Sequence, residues 1–163
     1  MNILITGKPG CGKTTAIKKL LPLMKDASGF LTEEIREKGM RVGFSIQTLD
    51  GWRGVLAHKD IASHFTVGRY RVNIADVEEA CSHIGSGRVV IDEIGKMELF
   101  SKFFQQIVLK TLEEKRLIAT IMEASHTFCD GIKVRPDVSL FTLTEKNREE
   151  ISNDLKNSIA APR

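Results

Sequence analysis

The chain has 163 residues, of which 42% are hydrophobic and 28% are charged, and its formal net charge is +3. This length suits a single domain over residues 1–163 with one core. The charge is mild and no run of five basic residues occurs, so neither nucleic acid nor a membrane surface is indicated as a partner. Three widely spaced cysteines argue against a disulfide framework or a structural zinc site and favour a reducing cytoplasm. We see no leader and no bilayer-length apolar run, so neither secretion nor membrane insertion is expected.

A glycine-rich segment at residues 7–14 reads G-K-P-G-C-G-K-T and directly follows the apolar run Ile3–Ile5. Glycines let successive backbone N–H groups converge on a small concave space, which is what triphosphate oxygens need. Lys13 is expected to reach the β- and γ-phosphates, and the Thr14 hydroxyl to join the shell of a Mg²⁺ ion. Such a pattern also arises by chance in a turn, but a strand before it and a helix after it favour a phosphate site.

The helix after this loop is predicted from apolar side chains that recur at helical spacing from Ile17 to Met24. Its start near Lys13 turns free N–H groups and the positive end of the helix dipole towards the phosphates. Pro22 lacks a backbone donor and clashes with the preceding turn, so the helix is expected to kink or end there.

Three short strands are predicted next, at residues 29–35, 40–49 and 52–58. The turn at Asp50–Gly51 is a strong hairpin signal, because both residues tolerate positive φ. An antiparallel meander is unusual in a fold whose other strands are connected by helical crossovers, so we interpret residues 29–58 as an insertion near the nucleotide site. Arg36 and Arg41 flank its first turn, either as solvated charges or as contacts to phosphate or substrate.

Two adjacent carboxylates, Asp92 and Glu93, end an apolar strand that begins at Arg88. In a parallel sheet the carboxyl ends of strands lie along one crevice, so this pair is expected to face the phosphate loop. Asp92 suits a Mg²⁺ contact, directly or through water, and Glu93 suits polarising an attacking water. Neighbours on a strand point to opposite faces, which leaves open that one of the two is a helix cap or a solvated end.

The remaining elements are predicted from periodicity and capping signals, while residues 58–71 show no regular pattern. We expect helices from Asn73, over 97–115 and from Asn147, and strands at 117–122 and 138–143. The aromatic and aliphatic face of the 97–115 helix is interpreted as core.

Polar residues in the later loops are weaker candidates. Lys96 and Glu98 lie next to the carboxylate pair and would contact phosphate or pair with one another. Arg135 is a candidate arginine finger that neutralises charge on the transferring phosphoryl group, although Lys133 or plain solvation stays open. A γ-phosphate sensor or an ordinary loop role is possible for three more residues, Thr120, Ser125 and His126.

With both halves of a site in view, the sequence resembles the small P-loop nucleoside triphosphatases first described from thermophiles, also called the cancer-related nucleoside triphosphatase family in animals. The resemblance rests on residues 7–15, on G-F-L-T-E-E-I-R at 29–36 with R-V-G-F at 41–44, on V-G-R-Y at 67–70, on I-D-E-I-G-K-M-E-L at 91–99 and on Asn147–Arg148. The first block is generic to P-loop proteins, and the T-E-E and D-E-I-G-K-M-E-L blocks are far more specific.

The resemblance implies a three-layer α/β fold of RecA-like type with strand order 5-1-4-3-2, in which strand 117–122 lies between the phosphate-loop strand and the Asp92 strand. It also implies hydrolysis of ATP, GTP and other triphosphates to diphosphate and phosphate. Lys13 and Thr14 would hold phosphate and Mg²⁺, Asp92 the metal, and Glu93 the water. The full nucleotide-binding set expected is Gly7, Lys8, Pro9, Gly10, Cys11, Gly12, Lys13, Thr14, Thr15, Asp92, Glu93, Ile94 and Gly95.

We therefore predict a Mg²⁺-dependent nucleoside triphosphatase. Two alternatives stay open: a kinase that passes the γ-phosphoryl group to a small hydroxyl compound under the hairpin, and a nucleotide-dependent switch that controls binding to a partner. Base preference is not encoded in any motif, and no motif indicates a protein partner. Cys11 in the loop suggests oxidation as a control, but a small spacer in a tight turn explains it better.

Overall fold

The computed structural model describes residues 1–161 and shows one nine-stranded sheet with helices on both faces. The strands are β1 (Asn2–Thr6), β2 (Ser28–Glu37), β3 (Met40–Thr48), β4 (Arg53–His58), β5 (Thr66–Val67), β6 (Tyr70–Val72), β7 (Val89–Ile94), β8 (Leu117–Ile121) and β9 (Val138–Thr142). The α-helices are α1 (Lys13–Leu20), α2 (Ile74–Ser82), α3 (Lys102–Glu113), α4 (Thr127–Lys133) and α5 (Arg148–Ala160). No helix within residues 1–161 is long and apolar enough to cross a membrane.

Five parallel strands form one half of the sheet, in the order β9-β1-β8-β7-β2. Numbered along the chain, this is the predicted order 5-1-4-3-2, and β8 lies between β1 and β7 as expected. Since parallel strands end at the same edge, the loops after β1, β7, β8 and β9 emerge together. The phosphate loop and the acidic end of β7 are therefore brought to one edge.

The other half of the sheet is antiparallel and extends the predicted order through β3, β4, β6 and β5. The first strand of the meander also pairs with β7 over Ser28–Phe30, so the meander is continuous with the parallel half of the sheet. Gly29 makes this pairing possible, since it has a φ of 117° and a side chain there would collide with Val90 O. The two shortest strands, β5 and β6, were not predicted, because two or three residues show no periodicity.

The core is divided between the two faces of the sheet. Leu4 of β1 packs on one face with α2, α3 and α4, whereas Ile3 and Ile5 pack on the other face with α1 and α5. This alternation follows from the two-residue period of a strand, and the apolar run of β1 reflects burial on both faces. The fold is thus three-layered, as predicted.

Two helices begin at capping residues. Asn73 accepts a hydrogen bond from Asp76 N at the start of α2, and Ser101 accepts one from Phe104 N at the start of α3. The long helix predicted over 97–115 is therefore a 3₁₀ turn at Glu98–Phe100 followed by α3. α1 ends at Leu20 and gives way to a 3₁₀ turn containing Pro22, as expected.

Candidate active site

The phosphate loop joins β1 to α1 and depends on glycine at its first position. Gly7 has a φ of 152°, and a Cβ there would lie 2.5 Å from Leu143 O and 2.7 Å from Cys11 Sγ. Cys11 is a buried free thiol that packs beneath the loop, and its N–H donates to Lys8 O over 3.1 Å. This contact supports its interpretation as a small spacer.

Lys13 at the start of α1 points back across the mouth of the loop. Its Nζ donates to Gly7 O at 2.8 Å and lies 3.3 Å from Glu93 Oε2. An ammonium group has three N–H donors, so one remains for a phosphate oxygen. The contact between Lys13 and Glu93 also joins the loop to the end of β7, although the two residues are 80 positions apart in the chain.

Asp92 is the buried carboxylate of the site and is held by two threonines. The Thr14 hydroxyl donates to Oδ2 at 2.9 Å, and the Thr120 hydroxyl donates to Oδ1 at 2.6 Å. Burial raises the pKa of Asp92 above its ordinary range, although both hydroxyl bonds act in the opposite direction. Thr120 thus orients Asp92. The sequence had suggested only a γ-phosphate sensor or an ordinary loop role for this residue.

Glu93 follows Asp92 at a point where the pairing of β7 with β8 becomes irregular, between Ile91 and Ile94. Its side chain is partly buried and faces Lys13. Burial raises the pKa of Glu93, and the neighbouring Lys13 charge counteracts that rise. A carboxylate whose pKa is shifted towards neutrality is a better proton acceptor than an exposed one.

Glu98 forms a second buried acid behind Glu93. A Cβ added at Gly95 would lie 3.0 Å from Glu93 Oε1 and 3.2 Å from Glu98 Oε2, so the two carboxyl groups flank that glycine. Burial raises the pKa of Glu98 to about 8, and the charges of Glu93 and Asp92 add to the rise. Glu98 therefore carries a proton at neutral pH, and within residues 1–161 no hydrogen bond or ion pair joins it to Lys96.

A cavity of about 680 Å³ opens between the phosphate loop and the meander. Its lining includes the polar side chains of Lys13, Thr14, Asp92 and Glu93. Apolar side chains also line it: Phe44, Leu56, Val67, Met97 and Met122. The cavity therefore extends well beyond the space between Lys13 and Glu93.

A magnesium site fits the donors that meet here. Mg²⁺ prefers oxygen ligands and is usually held by one or two protein groups together with substrate phosphates and water. Thr14 and Asp92 supply a hydroxyl and a carboxylate 2.9 Å apart beside the phosphate loop. Groups of three or more histidine, cysteine or acidic side chains suited to a metal do not occur within residues 1–161. The oxygen atoms of Thr14 and Asp92 would therefore complete a Mg²⁺ shell together with phosphate oxygens of a nucleotide.

Two predicted site residues lie elsewhere. Arg135 binds Asp137 through two hydrogen bonds of 2.8 Å, and Asp137 contacts the Asn2 side chain at the amino end of β1. That edge is opposite to the phosphate loop, so the arginine-finger prediction is corrected. Ile94 is fully buried in the core and its carbonyl pairs with Met122 N, so its side chain does not reach the cavity.

The other candidates are distributed around the site. Lys8 and Thr15 are exposed on the loop and on α1, and Gly95 lines the cavity. Lys133 lies at the carboxyl edge of the sheet, where its Nζ donates to Met122 O at 2.7 Å. His126 caps α4, a helix that the sequence did not predict.

The two hairpin arginines are engaged with the meander itself. Arg36 pairs with Glu34 at 2.8 Å and also binds Gly39 O. Arg41 donates to the Tyr70 hydroxyl at 2.8 Å and lies over its ring. These contacts favour the interpretation as surface charges.

One site residue was missed by the sequence argument. Arg148 begins α5, and its Nε donates to Cys11 O at 2.8 Å, directly against the phosphate loop. Asn147–Arg148 stood out only as a helix start and as part of the family resemblance. The contact of Arg148 with Cys11 depends on β9 lying beside β1, and a local sequence pattern does not reveal that pairing.

Comparisons with known proteins identify one group along nearly the whole chain. A family model described as NTPase matches residues 2–156. The nucleoside-triphosphatase THEP1 of Thermotoga sp. (strain RQ2) is 49% identical, over 95% of this chain and 93% of that protein. The cancer-related nucleoside-triphosphatase of Homo sapiens is 35% identical, over 99% and 98%. The crystal structure of THEP1 from Aquifex aeolicus has a TM-score of 0.86 at 35% identity and covers 99% of this chain and 100% of its own.

Proposed function

The chain belongs to the NTPase family, and from this premise we propose that it hydrolyses nucleoside triphosphates, ATP and GTP among them, to diphosphate and phosphate in a Mg²⁺-dependent reaction. The observation that carries the proposal is the pair of contacts between α1 and β7. Thr14 binds Asp92 and Lys13 lies 3.3 Å from Glu93. These contacts support the proposal because they hold together the groups that would bind phosphate, metal and water.

Binding begins with the loop, whose backbone N–H groups and the amino end of α1 attract the phosphate oxygens. The remaining N–H of Lys13 reaches the β- and γ-phosphates and stabilises the charge that develops on them. Thr14 and Asp92 would hold Mg²⁺, which supplies positive charge to the β- and γ-phosphate oxygens when bound. Thr120 keeps the Asp92 carboxylate turned towards Thr14.

Glu93 completes the reaction by accepting a hydrogen bond from the attacking water. Because burial raises its pKa, Glu93 accepts the proton of that water more readily as the bond to the γ-phosphorus forms. The bond between the γ-phosphorus and the bridging oxygen breaks, and that oxygen leaves on the diphosphate. Catalysis is thus mainly positioning and electrostatic stabilisation.

A phosphate-release assay over ATP, GTP, CTP and UTP, with and without Mg²⁺, tests this proposal. We expect release from each triphosphate that is lost when the metal is chelated and regained when it is restored. Undiminished release in excess chelator would contradict the metal requirement, and no release from any triphosphate would contradict hydrolysis.

The apolar lining of the cavity favours one second candidate, a phosphotransferase. Phe44, Leu56 and Val67 line the same cavity as Lys13 and Glu93 and would hold the ring of a hydroxyl compound. Incubation with γ-labelled ATP and a panel of nucleosides and other ring-bearing alcohols separates the two activities. Label found only in free phosphate would favour hydrolysis, and label on an acceptor would favour transfer.

We also propose the cytoplasm as the compartment. The three cysteines are free and buried, which suits a reducing environment. Fractionation of the producing cells and detection of the protein with an antibody would test this assignment.

A further inference from the structure

Arg148 keeps most of its hydrogen-bonding capacity beside the phosphate loop. A guanidinium group has five N–H donors, and Nε uses one on Cys11 O. The other four donate to no group within residues 1–161, and the side chain is exposed. A Cβ added at Gly12 would lie 3.3 Å from Nε and 3.6 Å from Cζ, so the guanidinium group lies closely against the loop backbone.

The position of Arg148 is fixed by the turn that precedes it. The Asn147 side chain donates to Thr142 O at 2.9 Å and accepts from Thr144 N at 2.8 Å. These bonds close the connection between β9 and α5. Further along α5, Leu155 and Ile159 are buried in the same cluster as α1. Arg148 is thus carried by a well-anchored helix rather than by a free loop.

The strand order shows towards which end of a bound triphosphate Arg148 lies. Lys13 contacts Glu93 on the β7 side of β1, and this contact marks the place of the γ-phosphate. Arg148 begins the helix that follows β9, and β9 pairs with β1 on the side away from β7. A nucleotide whose γ-phosphate lies towards β7 directs its nucleoside towards β9 and α5.

We infer that Arg148 binds the nucleoside part of the substrate, with its guanidinium plane stacked on the base. This inference rests on the proposed function and deepens it. The bond to Cys11 O orients the plane, and stacking needs only the π-face that every base has. The contact would therefore raise the affinity for all four nucleotides without selecting one. A role limited to bracing the loop is the rival explanation.

The test compares ligands that have and lack a nucleoside. Isothermal titration with Mg²⁺ measures the Kd of ADP, GDP, CDP, UDP and inorganic tripolyphosphate for the wild type, Arg148→Ala and Arg148→Lys. We expect Arg148→Ala to weaken all four diphosphates by roughly tenfold and tripolyphosphate by less than about twofold. Arg148→Lys keeps the charge but not the plane and is expected to resemble Arg148→Ala. Lys146→Ala is the matched control, because it removes an exposed charge from the same connection and should bind like the wild type.

Each contrary result has a separate meaning. An equal loss for diphosphates and tripolyphosphate would show that Arg148 only braces the loop, and unchanged diphosphate affinity would show that it makes no contact. Full recovery in Arg148→Lys would overturn stacking in favour of charge. If the wild type binds ADP but releases no phosphate from ATP, the proposed function fails while the Arg148 inference can still hold.

Discussion

Two of the carboxylate–cation pairs in this molecule have opposite electrostatic results. At the phosphate loop, Glu93 lies 3.3 Å from Lys13 and its pKa is raised, mainly by burial. On the hairpin of β2 and β3, Glu34 lies 2.8 Å from Arg36 and its pKa is lowered, mainly by the hydrogen bond from Arg36. Both acids have a cation nearby, so burial decides the direction of the shift.

The difference shows that charged groups on the same sheet behave differently according to how far they are exposed to water. The hairpin charges are exposed and neutralise one another, so they contribute little to stability. The site charges are partly or fully shielded from water, so a bound cation or phosphate would interact more strongly with them than with the hairpin charges. Substitutions in the two regions should therefore differ greatly in effect.

Lys13→Ala is expected to have the largest effect. It removes the ammonium group that serves both substrate binding and charge stabilisation, so kcat/KM should fall by about 10³-fold or more. Phosphate release and nucleotide titration measure the two losses separately. Near-normal kcat/KM in this variant would place catalysis outside the phosphate loop.

Glu93→Gln should separate binding from hydrolysis. The amide keeps the size of the side chain but cannot accept a proton, so kcat should fall by about 10²- to 10³-fold while the Kd for nucleotide changes little. Steady-state rates and titration with a non-hydrolysable triphosphate provide the check. Normal phosphate release would remove Glu93 from the mechanism.

Thr120→Val tests whether Asp92 must be oriented. Valine preserves the buried volume but removes the 2.6 Å hydrogen bond to Asp92, and loss of such supporting contacts typically weakens metal binding by about tenfold or more. The Mg²⁺ concentration for half-maximal activity should rise accordingly. If it does not, Thr14 alone is sufficient to orient the carboxylate.

Glu98→Gln should change the pH dependence of folding. The folded chain keeps the Glu98 proton up to a pKa of about 8, whereas the unfolded chain releases it near 4.5. Wild-type stability from this group is therefore full below pH 4.5 and falls as pH rises towards 8. Glutamine has no proton to release, so the variant should be more stable than the wild type at pH 8, on the order of a few kcal/mol.

Urea unfolding at pH 5, 6.5 and 8 measures this difference. The advantage of the glutamine variant should grow with pH over that interval. A constant difference at all three pH values would show that folding does not raise the pKa of Glu98.

Arg36→Gln should have the smallest effect and provides the control from the hairpin. Its ion pair with Glu34 joins side chains that are 56% and 41% exposed, so the free energy of unfolding should change by less than about 1 kcal/mol. Phosphate release should match the wild type. A large loss of activity would instead give the hairpin a direct role in substrate binding.

Local patterns predicted the parts of the site that depend on neighbouring residues in sequence. The glycines of the loop, Lys13 and the acidic end of β7 follow from short motifs, and the parallel order brings them together. Arg135 and Arg148 show where this reasoning ends, because the edge reached by a loop residue depends on the folding of the segments around it. The 7-residue helix α4, which the sequence did not predict, turns the chain before β9 and leaves Arg135 at the far edge.

β2 has a practical consequence for protein engineering. Because Ser28–Phe30 pairs with β7 before the strand continues into the hairpin, removal of all of residues 29–58 would leave β7 paired only with β8. The other edge of β7, beside Asp92, would then be exposed and prone to pair with another chain. A shortened or chimaeric version should instead retain the pairing of β2 with β7 and of β3 with β4, and replace only the tip of the hairpin at residues 36–41. The boundary at which the hairpin can be exchanged thus lies inside a strand.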